Sequence, residues 1–141
     1  MSKILIINGP NLNLLGTREP EIYGHVSMED YLKALSVDYP GVDIDYYQSN
    51  HEGDIIDRLH DAADDSELAG VLLNAGAYTH TSLAIADAIR SINLQVIEIH
   101  ISNPAARAEA MRHVSIIGPA CRGTISGFGM DSYRLGIEAL L

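Results

Sequence analysis

The sequence predicts an α/β fold: three layers built around a five-stranded parallel sheet of order 2-1-3-4-5. Two observations carry this. Five β-type runs alternate strictly with helical patterns, and the runs are near-continuously apolar. Strands apolar on both faces are buried on both faces, as in parallel sheets whose crossovers are helices. The commonest five-stranded arrangement of such units has the order 2-1-3-4-5 and binds ligands beyond the C-terminal ends of its strands.

The first strand is expected over Lys3–Asn8, where Ile4 to Ile7 form an unbroken apolar core. Ser27 followed by Asp30 is a capping pattern that opens a helix over Ser27–Tyr39. A second strand (Val42–Gln48), a helix (Asp54–Asp64), a third strand (Gly70–Asn74) and a helix (Thr81–Ile92) follow. After a fourth strand (Gln95–His100), Asn103-Pro104 combines an N-cap with proline at the first helical position, so a helix is expected over Pro104–Arg112. Val114–Gly118 reads as the fifth strand and Met130–Leu141 as the last helix. Residues 1–141 read as one domain without repeats, linkers or low-complexity segments.

Composition narrows the function. The chain is 47% hydrophobic, yet no apolar run approaches the roughly 18 residues of a membrane span. Its N-terminus begins the first strand at once, without a basic leader, so an unprocessed chain is expected. Cys121 is the only cysteine, which leaves no internal disulfide and fits a reducing cytoplasm. The formal net charge is −10 with no basic cluster, so nucleic acid and anionic membrane are poor partners. An anionic small molecule would have to be met by local arginines. No cofactor is expected, because Gly9 to Gly16 meets neither nucleotide fingerprint. No metal is expected either: Asn50-His51-Glu52-Gly53 lacks a second histidine, and the six histidines include no i, i+4 pair.

Position then points to chemistry. Asn8 to Asn11, Gln48 to Glu52, Asn74 to His80 and Glu98 to Asn103 each follow a strand, so all four polar clusters fall at one edge of the sheet. In the loop after the first strand, Arg18 and Tyr23 are close enough in sequence for a fixed positive charge to hold a phenol as its anion. An unperturbed tyrosine titrates near pH ~10, so a phenolate base at neutrality needs such help. At the fourth strand, period-two alternation puts Glu98, His100 and Ser102 on one side. A carboxylate beside an imidazole orients it for acid catalysis near neutrality. Ser102-Asn103-Pro104 opens a helix whose free N–H groups favour an anion, and Arg107 and Arg112 follow it. Asn74 and His80 flank Ala75-Gly76-Ala77-Tyr78-Thr79, a small-residue turn that lets a ligand approach the backbone.

Together these segments resemble type II 3-dehydroquinate dehydratase, a flavodoxin-like enzyme of the shikimate and quinate routes. The blocks that carry the likeness are Asn8 to Gly16, Arg18-Glu19-Pro20 with Tyr23-Gly24, Gln48 to Gly53, Gly76 to Ser82, Glu98 to Asn103, Gly127-Phe128-Gly129 and Tyr133-Arg134-Leu135. They span essentially the whole chain, in family order. The resemblance implies anti elimination of water from 3-dehydroquinate through an enolate, without metal or Schiff base. Tyr23 matches the base, held as phenolate by Arg18, and His100 the acid, oriented by Glu98. Asn11 matches the residue that holds a water against the enolate oxygen. The backbone at Ile101 and Ser102 matches the substrate carboxylate site, while Asn74, His80 and Arg112 match groups on its hydroxyls and ring. Asp87 matches a residue that reaches a neighbouring subunit's site, and the family's trimers, packed into dodecamers, imply a homo-oligomer here. The segment from Arg18 to Tyr23 is expected to close as a lid.

Three positions depart from the family pattern. Ala75 stands in place of proline and Met111 in place of phenylalanine, and Arg107 and Arg112 are five apart where the family has four. At about 100° per residue, a five-residue step turns side chains about 140° apart, so one unbroken helix cannot aim both arginines into the site. Either a bulge absorbs the extra residue, or one arginine leaves the pocket and Ala108 takes the expected place, with Arg112 the one retained. The only lysines are Lys3, at the wrong end of its strand, and Lys33, inside a helix, so neither can form a Schiff base at the site. Two other readings stay open: a flavodoxin-like binding module without turnover, and a metal-dependent hydrolase using His51, His80 and His100.

Overall fold

The computed structural model describes residues 2–17 and 19–141; Arg18 lies outside the described residues. Within its sheet β1 (Ser2–Asn8) pairs in parallel with β2 (Val42–Gln48), the edge strand, on one side and with β3 (Leu68–Asn74), the central strand, on the other. Beyond β3 lie β4 (Val96–His100) and β5 (Gly123–Ser126), also parallel, giving the expected order 2-1-3-4-5. The helices are α1 (Pro20–Tyr23), α2 (Met28–Asp38), α3 (Glu52–Ala63), α4 (Leu83–Ser91) and α5 (Asp131–Leu140). The architecture is the flavodoxin-like three-layer sandwich.

Alternation along each strand divides the apolar residues between two cores. Ile4, Ile6, Leu72, Ile97 and Ile99 pack with Leu35 of α2 and with Tyr133 and Ile137 of α5. On the opposite face, Leu5, Ile7, Val71 and Leu73 pack with Ile55 and Leu59 of α3 and Ile85 and Ile89 of α4. Full burial of each such aliphatic side chain contributes about 1.5–3 kcal/mol, which explains why the strands read as continuous apolar runs. The helix starts are set by local chemistry. Ser27 Oγ accepts the Asp30 N–H at 3.1 Å, as its spacing predicts. Ser82 Oγ accepts the Ile85 N–H at 2.9 Å and donates to Glu52 at 2.5 Å, which ties α4 to α3.

Two elements differ from expectation. Val114–Gly118 is not a strand; the fifth strand is Gly123–Ser126. The earlier segment carries the apolar run because Ile117 is buried in the core beside α4, while Ile116 N–H bonds the Thr79 carbonyl at 2.8 Å. Gly118-Pro119 then ends the run in a 3-10 turn. β5 is an edge strand with no fully buried residue, so Gly-Thr-Ile-Ser leaves no apolar signature.

Nor is Pro104–Arg112 a helix. Two 3-10 turns, Pro104–Ala106 and Ala110–His113, are separated by Arg107 in an extended conformation (φ −72°, ψ 149°). None of these residues is buried and Met111 is 65% exposed, so a helix here would have no apolar face to dock. The break is instead closed by His113 Nε2, which donates to the Arg107 carbonyl at 2.6 Å.

Candidate active site

Register brings the polar strand ends level. Asn8 of β1 lies opposite Gln48 of β2 and Asn74 of β3, and His100 ends β4 opposite Ser126 of β5. Beyond this edge lies a cavity of about 100 Å³. Its floor is Asn74, His100, Ile101 and Ser102, and its walls include Asn11, Tyr23, His80, Arg107 and Arg112. Gly9 packs so closely on the next loop that a Cβ there would sit 2.6 Å from the Ala75 carbonyl oxygen. Glycine is required for that contact, and it lets the loops after β1 and β3 meet.

Glu98 and His100 project to the same side of β4, as alternation predicts. His100 Nε2 lies 2.5 Å from Glu98 Oε2, and Glu98 is 1% exposed. Ser115 Oγ donates to Oε2 and Thr124 Oγ1 to Oε1, each at 2.9 Å. Burial alone pushes the Glu98 carboxyl up, but the hydrogen bond and charge of His100, with the two hydroxyls, outweigh it and hold the group below its ordinary value. A buried carboxylate with three donors is a fixed anion that locks the imidazole plane.

Tyr23 comes from α1, in the loop after β1. Arg107 Nη1 lies 3.3 Å from its hydroxyl and the guanidinium carbon 5.8 Å from its ring centre. The same nitrogen donates to Ser102 Oγ at 3.3 Å. Arg112 donates through Nε to Glu109 at 2.8 Å and also lines the cavity. Both arginines therefore reach the pocket, because the broken helix removes the angular conflict of a five-residue step. Neither the bulged helix nor the replacement of one arginine by Ala108 is present. The segment that carries Arg107 lies 84 residues from Tyr23, and sequence reasoning did not pair them.

Asn11 adopts the left-handed region at φ 68°. Its N–H donates to Asn50 Oδ1 at 3.0 Å, and Gln48 Nε2 donates to the same oxygen at 3.0 Å and to the Gly9 carbonyl at 3.2 Å. The Gln48-Ser49-Asn50 block thus buttresses the loop after β1. His80 Nδ1 lies 2.7 Å from the Val114 carbonyl, which only accepts, so Nδ1 carries a proton. Its ring stacks on that of His100 with centres 6.5 Å apart. Asp87 lies on the exposed face of α4 and does not line the cavity.

Lys3 sits at the far end of β1, about 16 Å from Asn8 at the usual rise per residue, and pairs with Asp65 at 2.7 Å. Lys33 pairs with Glu29 on α2. Burial, then the nearby Glu98, pushes the Cys121 thiol up to about 12, so it is not poised as a nucleophile. Among the described residues no three histidines, cysteines or carboxylates converge to hold a metal ion. Among them, too, no helix is long and apolar enough to cross a membrane.

A 3-dehydroquinate dehydratase from Caldicellulosiruptor bescii is 54% identical over 142 aligned positions, covering 99% of this chain and 97% of that protein. The type II dehydroquinase from Butyrivibrio crossotus superposes with a TM-score of 0.91 at 45% identity, covering 99% of this chain and 97% of that one. The type II dehydroquinase from Propionibacterium acnes superposes at 0.92 with 39% identity, covering 99% and 96%. Residues 2–141 match the Dehydroquinase class II family. On a parallel sheet whose loops bring a tyrosine and a carboxylate-held histidine into one polar cavity, this full-length match shows that the chain belongs to the class II dehydroquinase family.

Proposed function

We propose that this protein is a hydro-lyase that eliminates water from 3-dehydroquinate to give 3-dehydroshikimate, a step of the shikimate pathway. One observation carries the reading: Tyr23 of α1, touched by Arg107, and His100 of β4, held by Glu98, line the same cavity. A base and an acid on separate elements suit an anti elimination, in which the proton and the hydroxyl leave opposite faces of the ring.

Tyr23, as phenolate, takes the proton from the carbon beside the ketone, and the electron pair moves onto the ketone oxygen as an enolate. Arg107 and Arg18 supply the positive charge that favours the phenolate. Asn11 holds a water against the enolate oxygen, and its strained backbone is fixed for that purpose by Asn50. The enolate then collapses, the carbon–oxygen bond of the hydroxyl breaks, and His100 gives its proton to the departing oxygen, which leaves as water. Glu98 stabilises the imidazolium that precedes this step. Return of the tyrosine proton to His100 through solvent resets the site.

Substrate binding follows from the remaining polar groups. The backbone at Ile101 and Ser102 takes the carboxylate, while Asn74, His80 and Arg112 meet the hydroxyls and ring. Asp87, on an exposed helix face, acts on the site of a neighbouring copy in a trimer, and trimers assemble into a dodecamer. The segment from Arg18 to Tyr23 closes over the substrate. A cytoplasmic location agrees with the single cysteine.

The test follows ultraviolet absorbance of the conjugated enone product from purified protein and 3-dehydroquinate. Turnover that survives chelator and borohydride but collapses in Tyr23→Phe is the expected result. No enone from folded protein would favour a binding module in its place.

A further inference from the structure

Beneath the cavity runs a buried hydrogen-bond chain that no step of this reaction uses. It starts at the main-chain N–H of Gly76, which donates to Asn74 Oδ1 at 3.2 Å. A main-chain N–H can only donate, so the amide oxygen must face it and the amide nitrogen must face away. Asn74 Nδ2 accordingly donates to the Tyr133 hydroxyl at 3.0 Å. Tyr133 turns its own proton to Asn8 Oδ1 at 2.7 Å, and Asn8 Nδ2 donates to the Tyr46 hydroxyl at 3.3 Å. The N–H at Gly76 fixes the Asn74 amide, and Asn8 Oδ1 supplies the acceptor for the one proton of Tyr133.

The inner links come from β3, α5 and β1 and are buried, while Tyr46 of β2, at the outer end, is 37% exposed. Asn8 and Tyr133 are 0% exposed and Asn74 is 4% exposed. Burial pushes the Tyr133 phenol far above its ordinary range, so it stays neutral and serves as both donor and acceptor. A carboxamide has two N–H groups and two lone pairs on its oxygen. Tyr133 and Gly76 use one of each, which leaves one N–H and one lone pair on an amide that itself lines the cavity. That pair complements a hydroxyl, which both donates and accepts.

We propose that Tyr133 is a positioning residue of the site: its hydroxyl fixes the plane of the Asn74 carboxamide, so that one N–H and one lone pair meet a substrate hydroxyl. Tyr133 is not among the cavity residues and touches no substrate. With phenylalanine in its place, the amide would be held only at its oxygen and would swing about that bond. The assignment rests on the substrate-binding role proposed above for Asn74.

The experiment is steady-state kinetics with 3-dehydroquinate on wild type, Tyr133→Phe, Asn74→Ala and the double variant. Tyr133→Phe should raise KM about tenfold, equivalent to 1.4 kcal/mol, with kcat changed less than about threefold. In the Asn74→Ala background it should change KM no further, since its effect passes through that amide. A purely structural role would lower the folded fraction while leaving KM alone, or would add to Asn74→Ala, and either result overturns the proposal. If Tyr133→Phe does not fold by circular dichroism, Asn8→Ala breaks the same chain one link further on. It should raise KM in the same direction, again only when Asn74 is present, and an unchanged KM overturns the proposal. Wild-type protein that leaves 3-dehydroquinate untouched overturns the reaction itself and the positioning role with it. Wild-type turnover with an unchanged KM in a folded variant overturns the positioning role alone.

Discussion

Replacing Glu98 by glutamine removes a charge while keeping nearly the same shape, and the geometry sets what that should do. Three donors converge on the carboxylate: His100 and Ser115 on Oε2, Thr124 on Oε1. A glutamine oxygen facing His100 and Ser115 keeps both bonds, and the Thr124 hydroxyl can turn to accept from the new NH2 group. The fold should survive. The loss is electrostatic and appears when His100 is protonated. At 2.5 Å and an effective dielectric near 20, a unit charge pair is worth about 6–7 kcal/mol before desolvation is subtracted. The difference between a charge-assisted and a neutral hydrogen bond, about 1 kcal/mol, is the lower bound. A value near 3–4 kcal/mol corresponds to a fall in kcat of about 10²- to 10³-fold. Since Glu98 does not line the substrate cavity, KM should move by less than about threefold. Initial rates from enone absorbance on Glu98→Gln of verified fold give both numbers. A kcat within about threefold of wild type would refute the assignment of Glu98 as the group that stabilises the charged acid.

The two arginines should separate kinetically: Arg107→Gln, losing the contact with Tyr23, lowers kcat about 10- to 100-fold. Arg112→Gln, whose guanidinium lines the cavity beside Glu109, mainly raises KM in the same assay. Gly9→Ala forces a Cβ to within 2.6 Å of a carbonyl oxygen; a cost of about 1–3 kcal/mol should appear as a lower Tm in a thermal melt. Glu98 also shapes acid stability. Its carboxyl is held below the unfolded value near 4.5, so its contribution is complete above that pH and lost as pH falls through the lower folded value. Urea titrations of wild type and Glu98→Gln should therefore diverge above roughly pH 4.5 and converge in stronger acid.

Much of this architecture is legible locally. Apolar runs buried on two faces reveal β1, β3 and β4, and hydroxyl caps reveal the start of α2, because strand burial and capping act over one to four residues. The strand ends at Asn8, Asn74 and His100 likewise follow from where each run stops. The same logic misplaced the fifth strand. Ile116 and Ile117 are apolar because a loop packs them against the body of the fold, whereas β5 lies half-exposed at an edge and needs no apolar run.

Other features exist only in three dimensions. Proline after an asparagine cap announces a helix at 104, but a helix persists only where it has a face to bury, and this segment has none. That absence lets Arg107 and Arg112 enter one cavity despite their five-residue spacing. The contact of Arg107 with Tyr23 spans 84 residues, and that of Tyr133 with Asn8 spans 125. By itself the sequence determined which residues end the strands and hence which edge carries the chemistry. The tertiary structure decided which of those residues touch, since such contacts depend on the packing of α5 and the arginine segment onto the sheet, and no local period encodes that packing.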